Sequence, residues 1–290
     1  MPAKEVRCDL LHTLQFRPSI RHYPPNKTKL IGGMMELTVS RGIIDTYFNK
    51  LKSILELDVA IVGAGPSGLV AATYLAKAGK KVAVFESKLA PGGGMWGGAM
   101  LFNQIVVQNE AKAILDEFNV KYEKYDDTCV TCDSVHATSA LIYAATKAGA
   151  IINNGFIVED VVFQKERVAG VVVNWATIIR EGLHVDPLVM MASCVLDSTG
   201  HPSEITNTVA RKNSIKLNTP TGKVQGERSL SVEEGEEATV SNTKEVYPGL
   251  FVSGMAANGV SGSFRMGPIF GGMLKSGQKV AKLIIESLEK

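Results

Sequence analysis

The sequence predicts an α/β fold: a Rossmann-like dinucleotide-binding unit of the flavoprotein-like (glutathione-reductase-like) type, carrying an inserted antiparallel β meander. Three observations predict it. A short apolar run at residues 59–62 leads directly into Gly63-Ala64-Gly65-Pro66-Ser67-Gly68, a complete G-x-G-x-x-G that opens a helix over 68–78. A second apolar run, 81–85, ends in Glu86, eighteen residues beyond the last glycine of the turn. Farther on, apolar segments at 155–163, 167–178 and 188–196 read as antiparallel strands, expected to form a lid on the main sheet.

Taken in order, residues 1–35 are expected to be an N-terminal extension and 36–290 a single domain. Pro18, Pro24 and Pro25 break any helix early on, and Gly32-Gly33 precede the first amphipathic pattern. The extension reads as a mobile arm, or as the product of a start codon upstream of Met34 or Met35. From 36 to 55, Leu37, Ile43, Ile44, Phe48, Leu51 and Leu55 fall at helical spacing, so one helix leads into the domain. In the turn that follows the first strand, Gly63 permits the tight bend, Gly65 lets a pyrophosphate approach the backbone, and Gly68 lets helix pack on strand. The helix N-terminus offers unpaired N–H groups to the anion. A carboxylate at Glu86 accepts from both ribose hydroxyls and repels a 2′-phosphate, which favours NAD or FAD over NADP. Helices are further expected over 109–118 and 271–288.

Composition narrows the function classes. The 290 residues are 45% hydrophobic and carry 31 Lys+Arg against 29 Asp+Glu, a net charge of +2. No basic block stands outside the first thirty residues, so nucleic acid is not an expected partner. No apolar run approaches the roughly 20 residues that cross a bilayer, and residues 1–30 lack a signal-peptide core. No membrane association is therefore expected, and the expected location is the cytoplasm. Cys8, Cys129, Cys132 and Cys194 are too few for a disulfide framework. Asp126, Asp127 and Asp133 around the Cys129/Cys132 pair argue against a redox dithiol, since anionic neighbours raise thiol pKa.

Flavoproteins of this type end a late strand in Gly-Asp, whose carboxylate meets the flavin. Here Gly249-Leu-Phe-Val-Ser-Gly254 is followed by Met255, and Pro91-Gly-Gly-Gly-Met-Trp-Gly-Gly98 is unusually rich in glycine. A scaffold of flavoprotein type that has lost flavin is the expectation.

With those stretches, G-L-H-V-D-P at 182–187, D-S-T-G-H at 197–201 and S-G-M-A-A-N-G with F-R-M-G at 253–267 complete a set that resembles the thiazole synthases of thiamin biosynthesis, in the form found in methanogenic archaea. The resemblance runs from about residue 36 to the end. It implies that NAD is a consumed substrate: nicotinamide leaves, the ADP-ribose isomerises to a ketone, glycine condenses as an imine, and sulfur enters to close an adenylated thiazole carboxylate. It further implies NAD contacts at Gly63, Gly65, Ser67, Gly68, Glu86, Ser87, Gly94, Val158, His184, Val185, Asp186 and Met255, with Arg265 gripping the glycine-derived carboxylate through paired hydrogen bonds. Catalytic roles fall to His184, Asp186 and His201.

His184 and Asp186 alternate on a short extended segment closed by Pro187, and His201 follows Asp197-Ser-Thr-Gly200 after an apolar strand. Spacing alone favours polar loop residues and a capping histidine. The resemblance implies instead that Asp186 and His201, from neighbouring protomers of an octamer, hold iron(II), for which imidazole and carboxylate are suitable ligands. In fungal and plant relatives the position of His184 is a cysteine that surrenders its sulfur. Histidine has none to give, so free sulfide and multiple turnover are expected. The loop 219–235 looks longer than is usual in the family, and no function is carried onto it. The competing expectations are a ribose 1,5-bisphosphate isomerase, a flavin-dependent oxidoreductase and a non-catalytic NAD-binding or stress-protective protein.

Overall fold

The structure, a computed structural model, describes residues 34–290. The expectations for the first 33 residues lie outside the described residues. The chain divides into two units, up to Phe48 and from Asn49 onward.

A helix α1, Met34–Ser53, spans that division. It starts and stops two residues earlier than the apolar spacing predicts. The body then begins with β1 (Glu56–Val62), α2 (Pro66–Lys77) and β2 (Val82–Glu86), followed by a 3-10 turn at Gly93–Gly97 and β3 (Gln104–Gln108). A 3-10 turn at Asn109–Ala111 runs into α3 (Lys112–Glu117), followed by β4 (Glu123–Lys124), β5 (Cys129–Asp133), α4 (Ser134–Ala148) and β6 (Ile151–Asn154). Next come β7 (Phe156–Gln164), β8 (Arg167–Trp175), α5 (Ala176–Arg180), β9 (Leu188–Asp197) and α6 (Glu204–Asn213). The chain closes with β10 (Arg228–Leu230), α7 (Val232–Ser241), β11 (Lys244–Tyr247), β12 (Leu250–Val252), α8 (Met255–Ser261), β13 (Phe264–Arg265) and α9 (Gly271–Leu288).

An eight-stranded sheet has the order β11-β12-β9-β1-β2-β6, with β8 on β9 and β7 on β8. Strands β12, β9, β1, β2 and β6 are parallel, and β11 is antiparallel to β12. Parallel strands need both faces covered, and β1 shows it. Val59 and Ile61 enter one core with α2, α4 and α9, while Ala60 and Val62 enter a second core with β7, β8 and α6. That alternation is why residues 59–62 read as an uninterrupted apolar run.

The lid expectation is corrected. Strands β7 and β8 pair antiparallel, and β8 pairs with the first residues of β9, whose later residues lie parallel between β1 and β12. The three strands are therefore hydrogen-bonded into the sheet through β9 rather than laid over it. The expected strand 167–178 stops at Trp175, because Ala176–Arg180 turn into helix α5. The supposed loop 219–235 also holds β10 and the start of α7, the latter an acidic helix whose interior Gly235 disguised it.

Cys129 and Cys132 are both on β5, three residues apart and so on opposite strand faces, with Cys132 buried. Burial, rather than the flanking aspartates, pushes the Cys132 thiol up to about 11. Among the described residues, no helix is long and apolar enough to cross a membrane.

Candidate active site

A cavity of about 1190 Å³ opens where β1, β2, β9 and β12 end, the crevice in which parallel α/β sheets hold ligands. The Gly-rich turn forms its floor through local packing. Gly63 has φ +95°, and a Cβ there would lie 2.4 Å from the Ser198 carbonyl oxygen, so the β1 and β9 turns touch through its hydrogen. Gly68 does not line the cavity; a Cβ there would meet the Gly63 oxygen at 2.3 Å, which makes it a packing residue. Gly65 differs: among the described residues, a Cβ added to it would have nothing within 4 Å. It lines the cavity at the N-cap of α2.

Glu86 lines the cavity at the end of β2 and is 7% exposed. Its Oε2 accepts from the Ala64 N–H at 3.0 Å and its Oε1 from the Lys88 N–H at 2.8 Å, so the carboxylate is oriented by backbone on both sides. Ser67 donates its hydroxyl to Ser253 at 2.5 Å, and Ser253 in turn meets Ser198 at 2.7 Å, which ties together the ends of α2, β12 and β9. Ser87, Gly94, Val158, Met255 and Arg265 also line the cavity. Arg265 sits in β13, which pairs with β10.

His201 reaches the cavity from the turn after β9. That turn is built on Asp197, which is fully buried. Asp197 Oδ1 accepts from the N–H and hydroxyl of Thr199, and Oδ2 accepts from the N–H and hydroxyl of Thr206, so one carboxylate holds both ends of the segment that carries His201. His201 Nδ1 lies 2.6 Å from Glu227 Oε1.

The structure does not bring together all the predicted residues. His184, Val185 and Asp186 stand exposed in the irregular segment before β9 and do not line the cavity. Asp186 precedes Leu188–Asp197 and His201 follows it. A ten-residue strand at about 3.3 Å per residue spans roughly 30 Å. Asp186 and His201 of one chain are thus held apart, and among the described residues no group of three or more His, Cys, Asp or Glu converges as a metal site.

Sequence reasoning missed Glu204, Glu227 and Arg228, all of which line the cavity. Burial above all, with Asp197 and Glu86 nearby, raises the Glu204 carboxyl above its usual range. The Arg228 guanidinium lies 3.8 Å from the centre of the Phe264 ring. Glu204 opens α6, a helix the sequence analysis did not place, and Glu227 and Arg228 give no sequence signal because their partners are far along the chain.

The fold and the cavity define the class: a Rossmann-like α/β protein whose Gly-rich turn and strand-end carboxylate open onto one large crevice at the carboxyl ends of its parallel strands. Residues 40–270 match the Thi4 family, and the chain belongs to it. A thiamine thiazole synthase of Methanothermobacter thermautotrophicus is 53% identical over 254 residues, covering 88% of this chain and 98% of that one. Another, of Pyrococcus abyssi, is 49% identical over 255 residues, covering 88% and 99%. The crystal structure of Thermovibrio ammonificans THI4 superposes with a TM-score of 0.87 at 53% identity, over 88% of this chain and 99% of that one.

Proposed function

We propose that this chain is a thiamine thiazole synthase that makes an ADP-thiazole carboxylate from NAD, glycine and free sulfide, with iron(II), over multiple turnovers. The observation that carries the reading is a single cavity that joins the Gly-rich turn and Glu86 to Met255, His201 and Arg265. The open space over Gly65 fits a pyrophosphate at the start of α2, where unpaired N–H groups favour an anion. Glu86, fixed by two backbone donors, keeps lone pairs for the adenosine ribose hydroxyls. Arg265 supplies a planar pair of donors for the carboxylate of glycine.

His201 and Asp186 are the proposed iron ligands. An imidazole with a carboxylate on its other nitrogen, and an exposed carboxylate, are a donor set that suits ferrous iron. Bound there, the metal supplies Lewis acidity and open positions for small ligands. Because β9 separates Asp186 from His201 within one chain, the proposed pair takes Asp186 from a second copy, in a homo-oligomer with shared sites that we propose to be an octamer.

Two features support exogenous sulfide. His184 has no sulfur, and among the described residues no cysteine lines the cavity. Cys194 is buried within β9, and burial pushes its thiol up to about 11, so little thiolate exists at neutral pH.

Anaerobic incubation with NAD, glycine, sulfide and iron(II), followed by mass analysis of products and protein, tests the reading. Thiazole product with unchanged protein mass is expected. No product with all four ingredients present sinks it, and protein lighter by one hydrogen sulfide sinks the sulfide assignment.

A further inference from the structure

We infer that Glu227 is a positioning residue for His201: its carboxylate accepts the Nδ1 proton, holds the ring in the Nδ1–H tautomer, and so presents the Nε2 lone pair as the ring's ligand atom. The inference deepens the proposed function, resting on His201 as a metal ligand there.

The contact alone, 2.6 Å between a side chain that is 49% exposed and one that is 20% exposed, would be an ordinary surface pair of little worth. Its backbone setting is what sets it apart. Glu227 is flanked by pinned amides: Gln225 N–H donates to the Val260 oxygen at 3.2 Å, Gly226 N–H to the Gly259 oxygen at 3.0 Å, and Arg228 N–H to the Ser263 oxygen at 2.9 Å. The acid therefore cannot swing away with a mobile loop.

The same helix, α8, registers the histidine. A Cβ at Gly259 would lie 3.2 Å from the His201 backbone oxygen and 2.7 Å from Ser203 Oγ, and Ser203 Oγ donates to the Ala256 oxygen at 3.1 Å. Gly259 thus takes the glutamate-bearing segment on its carbonyl and the histidine-bearing turn against its α-carbon. Both partners are referenced to one rigid point. Among the described residues Nε2 has no hydrogen-bond partner, and the residue lines the cavity. A carboxylate on one ring nitrogen fixes which nitrogen is free to ligate and makes it more basic.

The test uses full-length protein labelled with ¹⁵N-histidine, with His201 assigned by its absence in His201→Gln. Spectra are taken at alkaline pH, where imidazole is neutral. Cobalt(II) titration of the same samples, followed by the visible ligand-field bands, reads affinity. Wild-type His201 is expected to carry its proton on Nδ1. Glu227→Gln keeps an acceptor and should keep that tautomer, with cobalt affinity between the other two proteins. Glu227→Leu should release the tautomer and weaken cobalt about 10–100-fold, the usual cost of losing such a partner. A proton on Nε2 in the wild type overturns the inference whether or not any variant folds, as does a Glu227→Leu protein with unchanged tautomer and affinity. Wild-type protein with the Nδ1–H tautomer but no cobalt binding upholds the Glu227–His201 pairing and overturns the metal reading instead.

Discussion

Alanine at Gly65 and alanine at Gly63 should have opposite consequences two residues apart. At Gly63 the backbone has φ +95°, and the new Cβ would sit 2.4 Å from the Ser198 oxygen. The conformational strain costs about 1–3 kcal/mol, and displacing a packed backbone carbonyl adds about 1–3 kcal/mol more. At roughly 2–4 °C per kcal/mol, Gly63→Ala should lower Tm by at least about 4 °C. At Gly65 φ is −71° and ψ 176°, which alanine adopts freely, and the Cβ meets nothing within 4 Å among the described residues. The entropy lost from the unfolded chain favours Ala by about 0.4–1 kcal/mol, and the weaker N-cap offsets about as much. Tm should therefore stay within about 2 °C of wild type. The methyl group nevertheless occupies the space proposed for the pyrophosphate, and NAD affinity should fall at least about tenfold, or about 1.4 kcal/mol. Calorimetric titration with NAD and thermal unfolding on the same samples measure both. A folded Gly65→Ala protein that binds NAD as tightly as wild type refutes the placement, and a Gly65→Ala protein as unstable as Gly63→Ala refutes the account of the turn.

Gly277→Ala should open the crossing of α2 and α9, because its Cβ would lie 2.4 Å from the Ser67 backbone oxygen and 2.9 Å from Val70 Cβ; a loss of about 1–3 kcal/mol should lower the urea midpoint with an unchanged slope. Glu236 is buried, burial raises its carboxyl, and among the described residues its Oε1 has no partner while Oε2 accepts from the Gly272 N–H and Gln108. A raised folded pKa means stability complete below the unfolded value of 4.5 and lost as pH rises through the folded value. Glu236→Gln should therefore raise Tm relative to wild type at neutral pH, with the gain shrinking toward pH 4.5; a gain that grows on acidification contradicts the sign. Cys194 should resist iodoacetamide in native protein at about pH 7.5 and react in urea, as its burial and raised thiol require; native labelling as fast as that of Cys129 contradicts this.

Legibility followed the range of the interactions. The turn at 63–68 could be read because three glycines, a strand and a helix follow one another locally, and α9 could be bounded at both ends because its apolar period is strong. The carboxylate at Glu86 could be placed by counting. What stayed hidden depends on partners remote in sequence. Glu227 meets His201 from 26 residues away, and β10 exists only by pairing with β13. Helix α7 begins Val-Glu-Glu-Gly-Glu-Glu, a composition that reads as solvated loop until Asn258 donates to the Gly235 oxygen at 2.9 Å and Glu236 is seen buried. Strand β9 could be found by its apolar run, but not its change of partner from an antiparallel to two parallel neighbours, since Leu188 and Val189, which are exposed, are as apolar as Val195 and Leu196, which are buried.

The ten residues of β9 act as a ruler between His184–Asp186 and His201. Under the proposed ligand set, a lone folded polypeptide owns two half-centres and no whole one. Chemistry then becomes a collective property that vanishes on dilution without any chain unfolding. Two individually dead proteins, one altered at Asp186 and one at His201, would regain turnover once co-assembled, because some junctions would receive an intact half from each.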